Sequence, residues 1–238
     1  TIRGPRGTQV RLLIRRQGTP EPFEVAVTRG KIDLPTVSYR ILDGGFAYVQ
    51  LTEFNNQATT RLQDALRAVL EQKPRGLIFD LRGNPGGYLH IAVQVASQFV
   101  GEGVIVTEKD RSGKVTEYKA ERGGLALDLP LVVLVDEGSA SAAEIVAGAV
   151  QDSGRGVLVG QRTFGKGSVQ VSHTLSDGSS LRVSVARWYT PKGHQLDGQG
   201  LTPEIVVAAD GSASESQDPV LDKAVEYLAA RLSGSSGG

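Results

Sequence analysis

Apolar strand-like runs alternate with amphipathic helical segments between about residues 37 and 150 of this 238-residue chain. The run LVVLV (131–135) is short, β-branched and apolar throughout, which is typical of a strand buried on both faces. Segments 55–72 and 141–152 instead carry apolar residues at helical spacing. The alternation predicts an α/β fold with a layered, mostly parallel β-sheet core and flanking helices.

The remaining elements are predicted from the same two periodicities. Around the core segments, alternating or apolar runs predict strands at 1–18, 21–32, 38–51, 77–81 and 104–110, and helical spacing predicts helices at 91–100 and 218–232. Residues 169–189 predict a β-rich hairpin region that turns at Asp177 and Gly178. A polar linker at 211–218 and a tail at 233–238 complete the chain.

Three parts follow from this organisation. They are an N-terminal strand pair (1–32), a core (33–210), and a C-terminal part with the linker, the amphipathic helix and the tail (211–238). The chain begins with Thr1 and contains no methionine, so we expect it to be a portion of a longer protein.

Composition excludes few function classes. Lys plus Arg and Asp plus Glu each number 26, which gives no indication of a nucleic-acid or membrane partner. The absence of cysteine rules out disulfides, thiol catalysis and cysteine-based zinc sites. No apolar run approaches the roughly 18 residues of a membrane span.

Ser141 lies at a predicted strand-to-helix turn, between LVVLV and the helical segment 141–152. A nucleophile benefits there, because free amides at a helix start can bind a developing oxyanion and the helix dipole favours negative charge. The spacing Ser141-x-x-Glu144 equally fits a capping box with no catalytic role. Ser139 is a rival nucleophile.

Lys166 stands in GQRTFGKG, which matches the start of a phosphate-binding loop, Gly160-x-x-x-x-Gly165-Lys166. That loop requires Ser or Thr directly after the lysine and a helix beyond it. Here Gly167 follows, and SVQVSHTL (168–175) alternates like a strand. The flanking glycines allow backbone or substrate to approach closely, so a base is one interpretation of Lys166 and an exposed turn lysine the other.

A lysine acts as a base only when neutral, which requires lowering its pKa from about 10.4 to near 7. Burial can supply such a shift, so we expect the apolar residues 157–159, Phe164 and Val169 to enclose the Lys166 amine. Gln170 shares the strand face of Lys166 if the strand begins that early, and its amide oxygen can accept a hydrogen bond from the amine without adding charge.

The segment LIFDLRGNPGGYL (77–89) predicts a buried strand that runs into a glycine-rich loop. Such a loop presents bare amides, so Gly86 and Gly87 are candidates to complete an oxyanion hole with the amide of Ala142. An ordinary tight connection between strand and helix is the alternative.

Taken together, the motifs resemble those of the C-terminal processing peptidases, or tail-specific proteases, over about residues 1–228. In family order they are DLRGNPGG (80–87), GSASAAEI (138–145), FGKGSVQ (164–170), ARWYTPKG (186–193) and GLTPEI (200–205).

The resemblance implies a serine endopeptidase that cleaves polypeptides at or near their C-terminal region by a Ser-Lys dyad and an acyl-enzyme. Ser141 is then the nucleophile, Lys166 the base and Gln170 the residue that positions it, with Gly87 and Ala142 as the amides of the oxyanion hole. One departure is Ala143, where the family commonly has a serine that is not the nucleophile.

The resemblance carries further expectations. Residues 1–32 look like the C-terminal part of a truncated PDZ domain, and neither cofactor nor metal is implied. The implied partners are polypeptides with accessible C-terminal tails rather than nucleic acid. The resemblance also allows an adaptor protein and a homo-oligomer. Family members act outside the cytoplasm, in the bacterial periplasm or cell envelope.

Two other kinds of site and one other function class stay open. A Ser-His-Asp triad would draw on His90, His173 or His194. A zinc site has little support, because the three histidines are isolated and no HExxH pattern occurs. The chain could also be a peptide-binding module on a protease scaffold without catalysis.

Overall fold

The computed structural model describes residues 2–30, 35–208 and 218–234. The chain divides into two compact units, Thr1–Pro35 and Thr36–Gly238. The strands are β1 Gln9–Ile14, β2 Phe23–Thr28, β3 Val37–Leu42, β4 Phe46–Leu51, β5 Gly76–Asp80, β6 Val104–Asp110, β7 Val115–Lys119, β8 Leu131–Val135, β9 Gly156–Gly160, β10 Ser168–Thr174, β11 Ser180–Tyr189 and β12 Ile205–Val206. The helices are α1 Ala58–Leu70, α2 Leu89–Ala96, α3 Ala142–Asp152 and α4 Pro219–Gly234.

The first unit contains the antiparallel pair β1–β2, in which Gln9 faces Thr28 and Ile14 faces Phe23. Both strands are shorter than the predicted segments 1–18 and 21–32. The Arg29 guanidinium donates to the Thr8 hydroxyl at 2.7 Å, close to the point where β1 begins. The assignment of this unit to a PDZ domain stays a prediction.

The second unit is built on a six-stranded sheet with the order β12-β9-β8-β5-β4-β3. Neighbours from β4 to β12 pair in parallel, whereas β3 and β4 form an antiparallel hairpin that turns at Gly44 and Gly45. With four helices beside it, this sheet confirms the predicted α/β class.

Helices cover both faces of this sheet. Successive side chains of β8 alternate between the faces: Val133 packs in the core formed with α1, α2 and α3, and Val132 packs with Ala224 and Leu228 of α4. The central strands β5 and β8 are therefore buried along their whole length, which explains their uninterrupted apolar sequences.

A second, antiparallel sheet has the order β10-β11-β6-β7. The predicted hairpin β10–β11 turns at Asp177 and Gly178, where the Asp177 carboxylate accepts the amide of Ser179 at 2.9 Å. Trp188 of β11 is buried against the main core, and its ring meets that of Tyr118 edge-on at 5.9 Å.

Several predicted elements differ in extent. β7 was not predicted, because its sequence VTEYK is short and has no apolar period. Its residues are mostly exposed, and they form a strand by pairing with β6. Helix α1 begins at Ala58 rather than at residue 55, since the Asn55 side chain first accepts the amide of Gln57 at 3.0 Å in a turn. Helix α2 ends at Ala96, before the predicted limit at 100.

At the C-terminus, α4 begins at Pro219 and extends two residues beyond the predicted limit at 232. Residues 211–217 of the predicted linker and 235–238 of the predicted tail lie outside the described residues. In the described part of the chain, no helix combines the length and apolar character that crossing a membrane requires.

Candidate active site

Ser141 lies between β8 and α3, directly before the first residue of the helix. Its φ of 56° and ψ of −115° place it among only two non-glycine residues with positive φ in the described part of the chain. Such conformations cost about 1–3 kcal/mol and persist only where the surroundings impose them, most often at functional sites. The backbone of Ser141 thus singles it out independently of its sequence motif.

The rival nucleophile, Ser139, is fully buried and engaged in structural hydrogen bonds. Its hydroxyl donates to the carbonyl oxygen of Leu81 at 2.8 Å and accepts the amide of Asp136 at 3.0 Å. These bonds tie the β8–α3 loop to the end of β5. Ser139 is therefore a structural residue, and Ser141 remains as the candidate nucleophile.

The glycine loop that follows β5 lies directly against Ser141. A Cβ added to Gly86 would lie 2.7 Å from Ser141 Cβ and 2.8 Å from the Ala142 amide nitrogen, so only glycine fits there. Neither the Gly87 amide nor the Ala142 amide donates a hydrogen bond to any residue that the structure describes. Two unpaired donors thus flank the Ser141 turn.

Asn84 holds this loop in place. It is fully buried, and its side-chain nitrogen donates to the Leu51 carbonyl at 2.7 Å while its side-chain oxygen accepts the Gly86 amide at 2.9 Å. Its own carbonyl accepts the amide of Ala140 at 2.9 Å. One asparagine therefore links the glycine loop to both β4 and the serine turn.

Glu144 joins the serine turn to the loop that carries Lys166. Its fully buried carboxylate accepts the Ser141 amide and the Lys166 amide through Oε2, each at 2.8 Å. Oε1 accepts the Thr163 hydroxyl at 2.6 Å and the Gly165 amide at 2.7 Å. Four donors satisfy the buried charge, and two of them belong to the backbones of the candidate dyad.

From the sequence, Glu144 was predicted only to be part of a capping box. Ser141 and Glu144 do adopt that arrangement, in which the bond from the Ser141 amide to the carboxylate has full hydrogen-bond geometry. The further role of Glu144 depends on partners 19–22 residues away in sequence. The one available signal was a charged residue in a helix whose other residues from 142 to 150 are alanine, valine, isoleucine and glycine.

The side chains of Lys166 and Gln170 are both exposed. Lys166 precedes β10, which begins at Ser168, so the two residues do not share a strand face, and a bulge follows Val169. The expected enclosure of the amine is absent, since Phe164 is itself 67% exposed. In the described structure, Ser141 Oγ and Lys166 Nζ are not joined by a hydrogen bond, and the Gln170 side chain makes none.

A cleft of about 680 Å³ opens between the glycine loop, the serine turn and the Lys166 loop. Its walls combine apolar groups with two carboxylates and one amine. They are formed by Pro85, Asp136, Glu137, Gly138, Ala140, Phe164 and Lys166. Lys166 lines this cleft, and Ala140 of the lining directly precedes Ser141 in the chain. A hydroxyl, an amine and free backbone amides are the groups that acyl transfer requires, and the serine turn, the Lys166 loop and the glycine loop carry them.

The alternative sites are not supported. Lys166 leads into β10 rather than a helix, which excludes a phosphate-binding loop. His194 Nδ1 lies 3.5 Å from Asp152 Oδ1, but Asp152 ends α3, about 16 Å along the helix from Ser141. His90 stacks on Tyr88, and no histidine is hydrogen-bonded to Ser141. Within the described ranges, no group of three or more histidine or acidic side chains could hold a metal ion.

Known proteins resemble this chain over most of its length. A carboxy-terminal-processing protease of Bartonella bacilliformis is 39% identical over 211 residues, which cover 87% of this chain and 48% of that protein. A carboxyl-terminal-processing protease of Synechocystis sp. is 41% identical over 210 residues, which cover 87% of this chain and 49% of that protein. The chain thus spans about half the length of these curated relatives.

The fold agrees with these relationships. A solved photosystem II D1 C-terminal processing protease superposes with a TM-score of 0.70 at 35% identity, covering 86% of this chain and 56% of that one. The sequence model of peptidase family S41 matches residues 45–207, which contain the serine turn, the glycine loop and the Lys166 loop. The resemblance drawn from the motifs is confirmed, and the chain belongs to peptidase family S41.

Proposed function

We propose that the chain is a serine endopeptidase that cleaves polypeptides at or near their C-terminal region through a Ser-Lys dyad and an acyl-enzyme. The observation that carries this proposal is the buried Glu144 carboxylate, which binds the Ser141 and Lys166 amides at 2.8 Å each. One buried carboxylate thus anchors the backbones of both the proposed nucleophile and the proposed base. The family relationship supplies independent support.

In the first step, Ser141 Oγ attacks the carbonyl carbon of the scissile peptide while Lys166 Nζ, as a neutral amine, takes the hydroxyl proton. The carbonyl oxygen becomes an oxyanion. The free amides of Gly87 and Ala142 donate to it, and the N-terminus of α3 adds a favourable dipole.

The tetrahedral intermediate collapses when Lys166 returns its proton to the departing amine nitrogen, leaving an ester between Ser141 and the new carboxyl end of the substrate. Water then attacks this ester as Lys166 accepts a proton from it. Collapse of the second intermediate releases the carboxylate product and returns the proton to Ser141.

The side chain of Lys166 must turn toward Ser141 for this chemistry, and the structure leaves it free to do so. Its backbone is held by Glu144, whereas its four-carbon stem is exposed. A substrate lying over the cleft would exclude water from the amine, which favours the neutral form. Gln170 would then accept a hydrogen bond from the amine and orient it.

The substrate class follows from the cleft and from the relatives. Pro85, Ala140 and the exposed ring of Phe164 offer an apolar surface beside Ser141, which suits an apolar substrate side chain next to the scissile bond. The relatives are named for carboxyl-terminal processing, and we extend that preference to this chain.

Location and partners are part of the proposal. On the basis of family membership alone, we place the protein outside the cytoplasm, in the bacterial periplasm or cell envelope. On the same basis we propose that an adaptor protein binds it and that it forms a homo-oligomer. Fractionation of producing cells tests the location, which recovery in the cytoplasm would contradict. Light scattering of the purified chain tests the oligomer.

The experiment is cleavage of an unstructured polypeptide with an apolar free C-terminus, with the cuts mapped by mass spectrometry. The chain is compared with Ser141→Ala and with Ser153→Ala, a matched serine at the opposite end of α3. We expect cuts near the C-terminus that Ser141→Ala abolishes and Ser153→Ala retains. Cleavage that survives in Ser141→Ala, or no cleavage by the unaltered chain, would contradict the proposal.

A further inference from the structure

Arg82 connects two carboxylates that are far apart in sequence. Its guanidinium binds Asp218 in a parallel, two-bonded geometry, Nη1 to Oδ1 and Nη2 to Oδ2, each at 2.8 Å. On its other side it binds Asp80, Nε to Oδ1 at 3.0 Å and Nη2 to Oδ2 at 2.6 Å. Asp80 is fully buried, and the Arg82 side chain is 22% exposed. Such forked pairs fix orientation as well as distance.

The Asp80 end of this network belongs to the sheet. Asp80 is the last residue of β5, its Oδ2 accepts the Tyr48 hydroxyl at 2.7 Å, and its Oδ1 accepts the Arg82 amide at 2.9 Å. Burial and the neighbouring Asp80 charge raise the pKa of Tyr48, so Tyr48 stays a hydrogen-bond donor. Burial alone would lower the pKa of Arg82, but its bonds to Asp218 and Asp80 outweigh burial and raise it, so Arg82 stays charged.

Arg82 also stands at the start of the glycine loop. The next residue, Gly83, donates its amide to Asp136 at 2.8 Å, and Gly86 donates its amide to Asn84 at 2.9 Å. The free amide of Gly87 comes directly after these bonds. Arg82 is therefore the residue at which the chain enters the loop, and the Gly87 amide lies five residues farther along.

The Asp218 end belongs to α4. Asp218 Oδ1 accepts the Leu221 amide at 3.0 Å, which caps the helix, and the same carboxylate binds Arg82. Farther along, Ala224 and Leu228 are fully buried against the sheet face that Ile78 shares. Apolar packing thus docks α4 by itself, and the partly exposed ion pair adds little to docking. What the ion pair adds is a fixed orientation of Arg82.

We propose that Asp218 is a positioning residue for the oxyanion hole: by docking on the sheet, α4 brings a carboxylate that locks Arg82 and thereby the glycine loop that ends in the Gly87 amide. The catalytic consequence rests on the proposed peptidase function, whereas the effect on the loop does not. Without Asp218, Arg82 keeps Asp80 as its one carboxylate partner and its outer N–H groups turn to water. The loop then samples orientations in which the Gly87 amide is misaligned.

The test uses Asp218→Asn, which keeps a side-chain oxygen to cap α4 but removes the charge that binds Arg82. Asp222→Asn is the matched control, since it removes the same charge from an exposed position in the first turn of the same helix. Asp218→Glu restores the charge on a longer stem and should recover part of the wild-type behaviour. Each variant is measured for hydrogen exchange, for kcat and KM on the cleaved polypeptide, and for Tm.

We expect Asp218→Asn to speed exchange at the Gly83 and Gly86 amides by about tenfold, while exchange within α4 is unchanged. We expect kcat to fall about tenfold with KM within about twofold, a fraction of the roughly 10²- to 10³-fold cost of losing an oxyanion donor outright. Asp222→Asn should match the unaltered chain in every measurement.

Two results would overturn the proposal. One is unchanged exchange at Gly83 and Gly86 in Asp218→Asn. The other is faster exchange along α4 together with the loop, which would make Asp218 a residue that merely holds the helix. If the unaltered chain cleaves nothing, the peptidase function fails, but exchange still decides whether Asp218 positions the loop.

Discussion

The two sides of the candidate active site are built in different ways. On one side, the amides of Gly87 and Ala142 belong to backbone that buried side chains hold from several directions. On the other side, the side chains of Lys166 and Gln170 are exposed and make no hydrogen bond to the serine. Amides that stabilise an oxyanion work best when their positions are fixed before the reaction. The amine of Lys166 instead would exchange protons with Ser141, the departing amine and water, so it must move. The difference suggests that rigidity is confined to the oxyanion side.

Lys166→Ala gives the largest expected effect on activity. Loss of the proposed base should lower kcat by about 10²- to 10⁴-fold. Because the side chain is exposed, the free energy of unfolding should change by no more than about 0.5 kcal/mol. Steady-state kinetics and urea unfolding check the two parts, with the exposed Lys114→Ala as control. A fully active variant would exclude Lys166 as the base.

Glu144→Gln should damage activity and stability together, because it weakens the clamp between the two sides. A neutral amide cannot accept all four donors, and each unsatisfied buried group costs about 1–3 kcal/mol. We expect a loss of about 3 kcal/mol in the free energy of unfolding and a clear fall in kcat.

The control for this variant is Glu204→Gln, because among the described residues Glu204 accepts a single backbone amide, that of Leu158 at 2.8 Å. It should cost about 1 kcal/mol, the usual net contribution of one hydrogen bond. Equal losses in unfolding experiments on the two variants would show that the number of bonds at Glu144 is unimportant.

Gly86→Ala tests the rigid side directly. The new methyl group would lie 2.7 Å from Ser141 Cβ at a φ of 96°, so the glycine loop and the serine turn must separate. We expect a cost of about 2–3 kcal/mol and a loss of most activity. Gly83→Ala also has positive φ but meets no atom within 4 Å, so it should cost only about 1–2 kcal/mol. If both variants keep equal activity, the close approach is not needed.

Gln170→Ala should have a smaller effect, since the residue is exposed and would act only by orienting the amine. We expect kcat to fall about tenfold, below the usual range for losing the base itself. Thermal unfolding should be unchanged, as for the neighbouring control Ser172→Ala. A loss of stability in Gln170→Ala alone would assign the residue a structural role instead.

The smallest expected effect is the pH dependence of stability that the Asp218 carboxylate contributes. Burial would raise the pKa of Asp218, but the bonds from Arg82 and the Leu221 amide outweigh it and lower the pKa below its usual value of about 3.9. The stabilisation that this carboxylate contributes is therefore fully present above about pH 4 and is lost as the pH falls through the lower, folded-state pKa. The stability difference between the chain and Asp218→Asn, measured by urea unfolding, should be constant from about pH 5 to 7 and shrink below about pH 4. A difference that already declines near neutral pH would contradict this assignment.

Local patterns predicted the parts of the fold that carry a strong period. The β-branched run of β8, the helical spacing of α3 and the turn at Asp177 and Gly178 each indicated an element that the structure contains. The strand β7 escaped prediction, because it has no apolar period and forms only beside β6. The burial of Lys166 was predicted wrongly, because neighbours in sequence do not determine which side chains enclose an amine.

By itself, the sequence determined the α/β class, the motifs of the S41 family and the candidate residues Ser141, Lys166 and Gly87. Tertiary structure alone decided which distant groups meet them. Glu144 reaches the Lys166 loop 22 residues away, and Arg82 reaches Asp218 across 136 residues. Backbone propensity and periodicity act over a few residues, whereas contacts at such separations exist only once the whole sheet and its helices have packed.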